Sequence, residues 1–199
     1  MSRGCRMVRI SSPEALVRAY GRNPVEIARA IDIPFHRLWR PESALPGLTC
    51  LVANRPSIFI NDAYFAKLQQ KDRDYTDEML EYDILQVTAH ELGHACLHRQ
   101  ELQQAPIKEY EIFDVRTPLE ADANEFAAVI RIDTDRMLRL LRSDMTILQV
   151  AKDMHVNVNL LIYMIERLRK QGVLFNDLPY IPKNNFMGSI SGAGSSEWN

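Results

Sequence analysis

Apolar positions recur at helical spacing along most of this chain and at strand spacing over one short part. Residues 12–32 read as helical, with Pro13 where a first turn tolerates it. A second short helix opens at Pro24 behind Asn23 as N-cap, and Ile27, Ala28 and Ile31 share its apolar face. Pro34 ends that pattern. After the Leu45-Pro46-Gly47 turn come two short apolar runs, Thr49 to Ala53 and Ser57 to Ile60, separated by Asn54-Arg55-Pro56. They predict a β-hairpin, the only clear strand signal in the chain. Asn61-Asp62 caps a helix to about Gln70, and Asp72 to Tyr75 reads as loop.

The longest helical pattern runs from Thr76-Asp77 to about His98. Its predicted apolar stripe is Leu85, Ala89, Leu92 and Cys96. His90 and His94 lie roughly 120° to 180° around from that stripe. The helix should therefore pack one side into the core and turn its histidines toward a cleft. Cys96 falls on the core side, as a buried thiol. Residues 99–117 are mixed and charged and read as a loop over the site. A helix resumes at Pro118 with Leu119, Ala123, Phe126 and Ile130 as its core stripe, and another spans Thr134 to Leu141. Residues 146–170 read as two helices joined by a tight turn. Ile147, Val150, Ala151 and Met154 line the first; Val158, Leu161, Ile165 and Leu168 line the second; Gly172 stops it. From Asn176 the chain is rich in Pro, Asn, Gly and Ser and reads as a flexible tail.

Composition narrows the class without naming it. A chain of 199 residues, 46% apolar and 25% charged, suits one globular domain with at most a small appendage. A net charge of −2 gives no strong pull toward nucleic acid or membrane. Cys5, Cys50 and Cys96 are an odd, widely spaced set and do not form a disulfide framework. No apolar run reaches bilayer length, and the basic start Met1 to Arg6 is not followed by a signal core. A cytoplasmic location is the default expectation.

The chemistry lies in His90-Glu91-Leu92-Gly93-His94. Histidines four apart on a helix can reach one metal ion, and the glutamate beside the first is placed to take a proton from an attacking water. A catalytic zinc needs a third protein ligand. A third histidine ten residues after the first is ruled out, because Gln100 stands there. A straight helix would carry His98 past the metal, so a hydrogen-bonding role near the site suits it better. Glu120, Asp122 and Glu125 compete as a carboxylate ligand from the next long helix. Glu120 shares a face with Asn124 and Ala127, and the small Ala127 would let the two helices approach closely. Helix geometry favours Glu120 only modestly over the others.

The segments His90 to His98 and Glu120 to Ala128 together resemble the ImmA/IrrE family of zinc metallopeptidases. Asn23 to Ala28 is similar to the family's N-terminal helix, and Leu45-Pro46-Gly47 with Ser57 to Asn61 is similar to its hairpin. The resemblance covers roughly residues 20–175. It implies Zn2+ held by His90, His94 and Glu120, with Glu91 as catalytic base and Asn124 orienting a ligand histidine. It also implies a protein substrate, a helix-turn-helix repressor of a phage, mobile element or stress regulon. His98, Tyr110 and Tyr82 are candidates for stabilising the oxyanion. The expected fold is α+β, a mostly helical zincin-like domain with a small antiparallel β-sheet. Residues 1–142 would form that domain, 143–175 a helix-turn-helix-like pair and 176–199 the tail.

Blander readings stand beside these. His36 and His155 have no partner motif and suit surface or packing positions. Glu109, Glu111 and Asp114 are most simply a solvated loop. The helix pair carries Arg167, Arg169 and Lys170, but its second helix is apolar over its first two turns where a DNA-reading helix is polar. Packing or protein binding suits it better than direct nucleic-acid binding. The alternative function is a metal-binding regulator that acts by protein or DNA contact without cutting.

Overall fold

The computed structural model describes residues 12–72, 75–108, 117–143 and 145–173. Tyr110, Cys5, the acidic cluster Glu109, Glu111 and Asp114, and the tail lie outside these residues. Two short helices come first, α1 (Pro13–Tyr20) and α2 (Pro24–Ala30). Gly21, at φ 79°, ends the first, and the Asn23 side chain accepts from the Val25 and Glu26 amides to start the second. The strands β1 (Phe35–Leu38), β2 (Gly47–Val52) and β3 (Arg55–Asn61) follow, then α3 (Asp62–Lys71) and the long α4 (Asp77–Leu97). Short α5 (Arg99–Leu102) and β4 (Ile107–Lys108) precede α6 (Pro118–Arg131), α7 (Thr134–Leu141), α8 (Ile147–Met154) and α9 (Val158–Lys170). The fold is α+β and mostly helical.

The sheet differs from the expected antiparallel hairpin. It has four strands in the order β1-β3-β2-β4, and β1 runs parallel to β3. β1 is an edge strand with three of its four residues exposed, so it lacks the alternation that marks a half-buried strand. β4, two residues long, falls in the stretch expected to be loop, and it is too short to show a period. The hairpin turn sits earlier than the sequence suggests. Ala53 and Asn54 both have positive φ, 49° and 62°, as a tight two-residue turn requires. Arg55 and Pro56 therefore belong to β3. Pro56 is tolerated there because β1 pairs with β3 only from Ile58 onward.

Gly47 and Thr49 on β2 lie opposite Ile60 and Ile58 on β3, and all four are buried beneath α4. α4 starts at a Thr76 cap and is buried at every position from Gln86 to Cys96. That corrects the one-sided stripe. Ala89, Leu92 and Cys96 are buried as expected, but Leu85 is half-buried and Ile84 and Val87 are in the core. The reason is enclosure: the sheet, α2 and α6 all pack against this helix. The histidines consequently face α6 rather than an open cleft. The last two helices share the same core, since Val150, Leu160, Leu161 and Ile165 join one buried cluster with Leu92 and Phe126. A Thr146 capping box opens α8, and His155 at φ 52° makes the turn into α9.

Candidate metal centre

Two helices build the site. On α4, His90 and His94 project toward α6 with their Nε2 atoms 2.9 Å apart. From the first turns of α6, Glu120 brings Oε2 to 3.1 Å from His90 Nε2 and 3.4 Å from His94 Nε2. The three atoms form the one His/Cys/Asp/Glu cluster of metal-binding geometry among the described residues. Three ligands each about 2.0–2.1 Å from a tetrahedral zinc would stand about 3.3 Å apart, so this triangle is close to the size that one ion needs. Both histidines are 1% exposed.

The hydrogen bonds behind the triangle fit the same purpose. Asn124 Oδ1 lies 2.8 Å from His90 Nδ1. With the amide oxygen as acceptor, Nδ1 carries the proton and Nε2 presents a bare lone pair to the centre. His94 Nδ1 lies 2.9 Å from His98 Nδ1, and His98 Nε2 is 3.9 Å from Asp122 Oδ2. Burial pushes the His94 imidazole down to about 4, against the opposing pull of Glu120. Burial alone would raise Glu120, but hydrogen bonds to both histidines and their charge hold its carboxyl well below the usual range. A neutral imidazole and an ionised carboxylate are the forms in which each group ligates a metal.

The Glu91 carboxylate reaches β2 and is wholly buried. The Thr49 hydroxyl donates to its Oε2 at 2.5 Å. A Cβ at Gly47 would lie 2.5 Å from Glu91 Oε1 and 3.0 Å from its Cγ, so this strand position must be glycine for the carboxylate to lie where it does. A second glycine closes the helix pair. A Cβ at Gly93 would come within 3.0 Å of Ala123 Cα and 3.1 Å of Ala123 O. Gly93 therefore lets α4 approach α6 closely at Ala123, one turn from the Ala127 that the sequence suggested. Gly47, Thr49 and Gly93 were not singled out by the sequence reading. The signals were a glycine in mid-helix between two candidate ligands and the Leu45-Pro46-Gly47 turn of the family-like hairpin; Thr49 carried none.

The competing carboxylates are placed elsewhere. Asp122 keeps 66% of its side chain exposed, and Glu125 pairs with Arg167, which also binds Glu14 on α1. Tyr82 directs its hydroxyl to Glu78, and its ring stacks on His155. His98 is buried one turn beyond His94. Cys96 is buried too, and burial pushes its thiol up to about 12. His36 stacks on Phe59. Of the basic residues on the last helix, Arg167 pairs as above and Arg169 pairs with Glu166.

His90, His94 and Glu120 form a buried cluster that could hold a metal ion, with Glu91 next to the first histidine. Residues 79–166 match the family model for the IrrE N-terminal-like domain of the Peptidase_M78 metallopeptidase family. The matched stretch holds both histidines, Glu91, Glu120 and Asn124, while the N-terminal helices and the hairpin precede it. Searches of curated proteins and of solved structures gave no match. Among the described residues no helix is long and apolar enough to cross a membrane.

Proposed function

We propose that the protein is a zinc-dependent endopeptidase acting in the cytoplasm on a helix-turn-helix repressor of a phage, mobile element or stress regulon. The observation that carries the peptidase reading is the convergence of His90, His94 and Glu120 beside a separate carboxylate, Glu91, anchored to the sheet. The substrate reading rests on the family resemblance alone. When bound by these three residues, zinc would polarise the scissile carbonyl and make an attacking water more acidic. Glu91 takes that water's proton on its carboxylate and delivers it to the departing amine nitrogen. Thr49 fixes one carboxylate oxygen, so the base keeps one orientation through both transfers. Asn124 holds His90 in the tautomer that leaves Nε2 free to ligate.

The second reading, a metal-binding regulator that does not cut, keeps the ligands and dispenses with the base. Glu91→Gln separates the two, because it removes the base and spares the cluster. The purified wild type should carry about one zinc per chain, as one three-ligand cluster implies. Incubated with candidate helix-turn-helix repressors, the wild type should cut one of them, and Glu91→Gln should bind zinc without cutting. A variant that holds zinc and keeps full biological activity would sink the peptidase reading.

A further inference from the structure

The two ligand histidines are held from behind by different groups. His90 leans on a neutral amide, Asn124, which is fully buried on α6. His94 leans on another imidazole, His98, on its own helix axis one turn further along. α4 has ended there: Leu97 is its last residue and His98 is the cap, at φ −112° and ψ 40°. A straight helix would have carried His98 onward past the metal. Its ring nonetheless lies beside that of His94, as side chains one helical turn apart do, and Nδ1 faces Nδ1 across 2.9 Å. The ring is held there, only 4% exposed, and its Nε2 is buried without a hydrogen-bond partner. The nearest carboxylate to that nitrogen is Asp122 Oδ2 at 3.9 Å, and His98 and Asp122 line the same surface cavity of about 430 Å³.

We propose that His98 is a positioning residue for the metal: its Nδ1 accepts the Nδ1 proton of His94, and Asp122 faces the proton left on its Nε2. This rests on the reading of His90, His94 and Glu120 as zinc ligands. The chain of tautomers follows from that reading. If His94 ligates through Nε2, its only proton is on Nδ1. Two facing Nδ1 atoms can share one proton between them, so His98 must be the acceptor and must carry its own proton on Nε2. That proton points toward Asp122, whose charge favours it. In the absence of metal only Asp122 favours this order, and the proton between the rings can belong to either histidine. Metal loading therefore fixes the tautomer of a residue that never touches the metal, and His98 in return fixes the ring plane of His94.

The test compares three substitutions and adds a spectroscopic measurement of the tautomer. His98→Asn keeps an acceptor oxygen near the place of Nδ1; His98→Phe keeps the ring's bulk and removes the acceptor. Zinc affinity is measured by competition with a chromophoric chelator, and folding by circular dichroism. His98→Phe should weaken zinc binding about 10- to 100-fold, the usual effect of removing a hydrogen-bond partner behind a ligand. His98→Asn should lie much closer to wild type, and Asp122→Asn should show a smaller loss than His98→Phe. In zinc-loaded wild type, ring nitrogen NMR should show His98 with Nδ1 bare and Nε2 protonated. The proposal is overturned if His98→Phe binds zinc like wild type, if the Asn and Phe variants weaken it equally, or if His98 Nδ1 carries the proton. A wild type that takes up no zinc removes the peptidase reading and this one together, whereas zinc uptake indifferent to His98 removes this one alone.

Discussion

Gly47→Ala adds one methyl group to a strand remote in sequence from the motif, and it should disarm Glu91 while leaving the metal in place. The added Cβ would lie 2.5 Å from Glu91 Oε1, 2.9 Å from Val87 Cγ1 and 3.0 Å from Glu91 Cγ. Ordinary contact begins near 3.4 Å, so the carboxylate must retreat by about 0.9 Å. It cannot do so freely, because Oε2 is bound to Thr49 on the same strand. A displacement of about 1 Å at a catalytic group costs on the order of 100-fold in rate, or about 2.7 kcal/mol of barrier. Overpacking a buried site also costs about 1–3 kcal/mol of stability, offset in small part by the stiffer unfolded chain. None of the three atoms that the Cβ meets belongs to His90, His94 or Glu120, so zinc content should hold. The assay is kcat/KM on a quenched-fluorescence peptide library, with zinc measured on the same samples. An undiminished kcat/KM in a zinc-loaded variant would refute the argument. Parallel loss of zinc and activity would also refute it, by showing that the methyl group acts through the ligands.

Three further outcomes follow from the same geometry. Gly93→Ala should do the converse: its Cβ meets Ala123 backbone atoms at 3.0 and 3.1 Å, which cannot rotate away, so α6 must withdraw and carry Glu120 with it. Zinc affinity should fall with a stability loss of about 1–3 kcal/mol, and unaltered affinity by chelator competition would contradict this. Thr49→Val removes a hydrogen bond to a buried carboxylate, worth about 1.5–3 kcal/mol, and should lower kcat about tenfold or more at constant zinc content; unchanged kcat would show that Thr49 does not hold the base. The metal-free protein should lose stability in acid. The His94 value of about 4 lies below the ordinary 6.5, so the unfolded chain takes up its proton first and stability falls as the pH drops from 6.5 toward 4. Glu120 acts in the same sense, since its lowered value makes its contribution present above 4.5 and lost as the pH falls below that. His94 accounts for up to about 3 kcal/mol, and urea midpoints that are equal at pH 7.5 and pH 5 would refute it.

The sequence by itself determined what could be written as local spacing. Two histidines one helical turn apart, with a glutamate between, state a metal chemistry in five residues because the helix repeat alone sets their separation. Proline, asparagine and threonine caps fixed where α2, α4, α6 and α8 begin, because capping is a contact between near neighbours in the chain. The third member of the His/His/Glu cluster was only half legible. Glu120 lies roughly 140° to 160° around the helix from Glu125 and Asp122, and nothing local says which side faces α4. Packing decided it, by turning Glu120 inward, leaving Asp122 mostly exposed and giving Glu125 to Arg167. The edge strands were hidden for the same kind of reason: β1 is largely exposed and β4 has two residues, so neither carries a pattern of its own, and each exists only through its neighbour. Gly47, Thr49 and Gly93 show the limit most clearly. Their importance lies wholly in what stands opposite them, Glu91 across the sheet–helix layer and Ala123 across the helix pair. Those distances arise from packing between elements, and a sequence pattern records only the faces of each element taken alone.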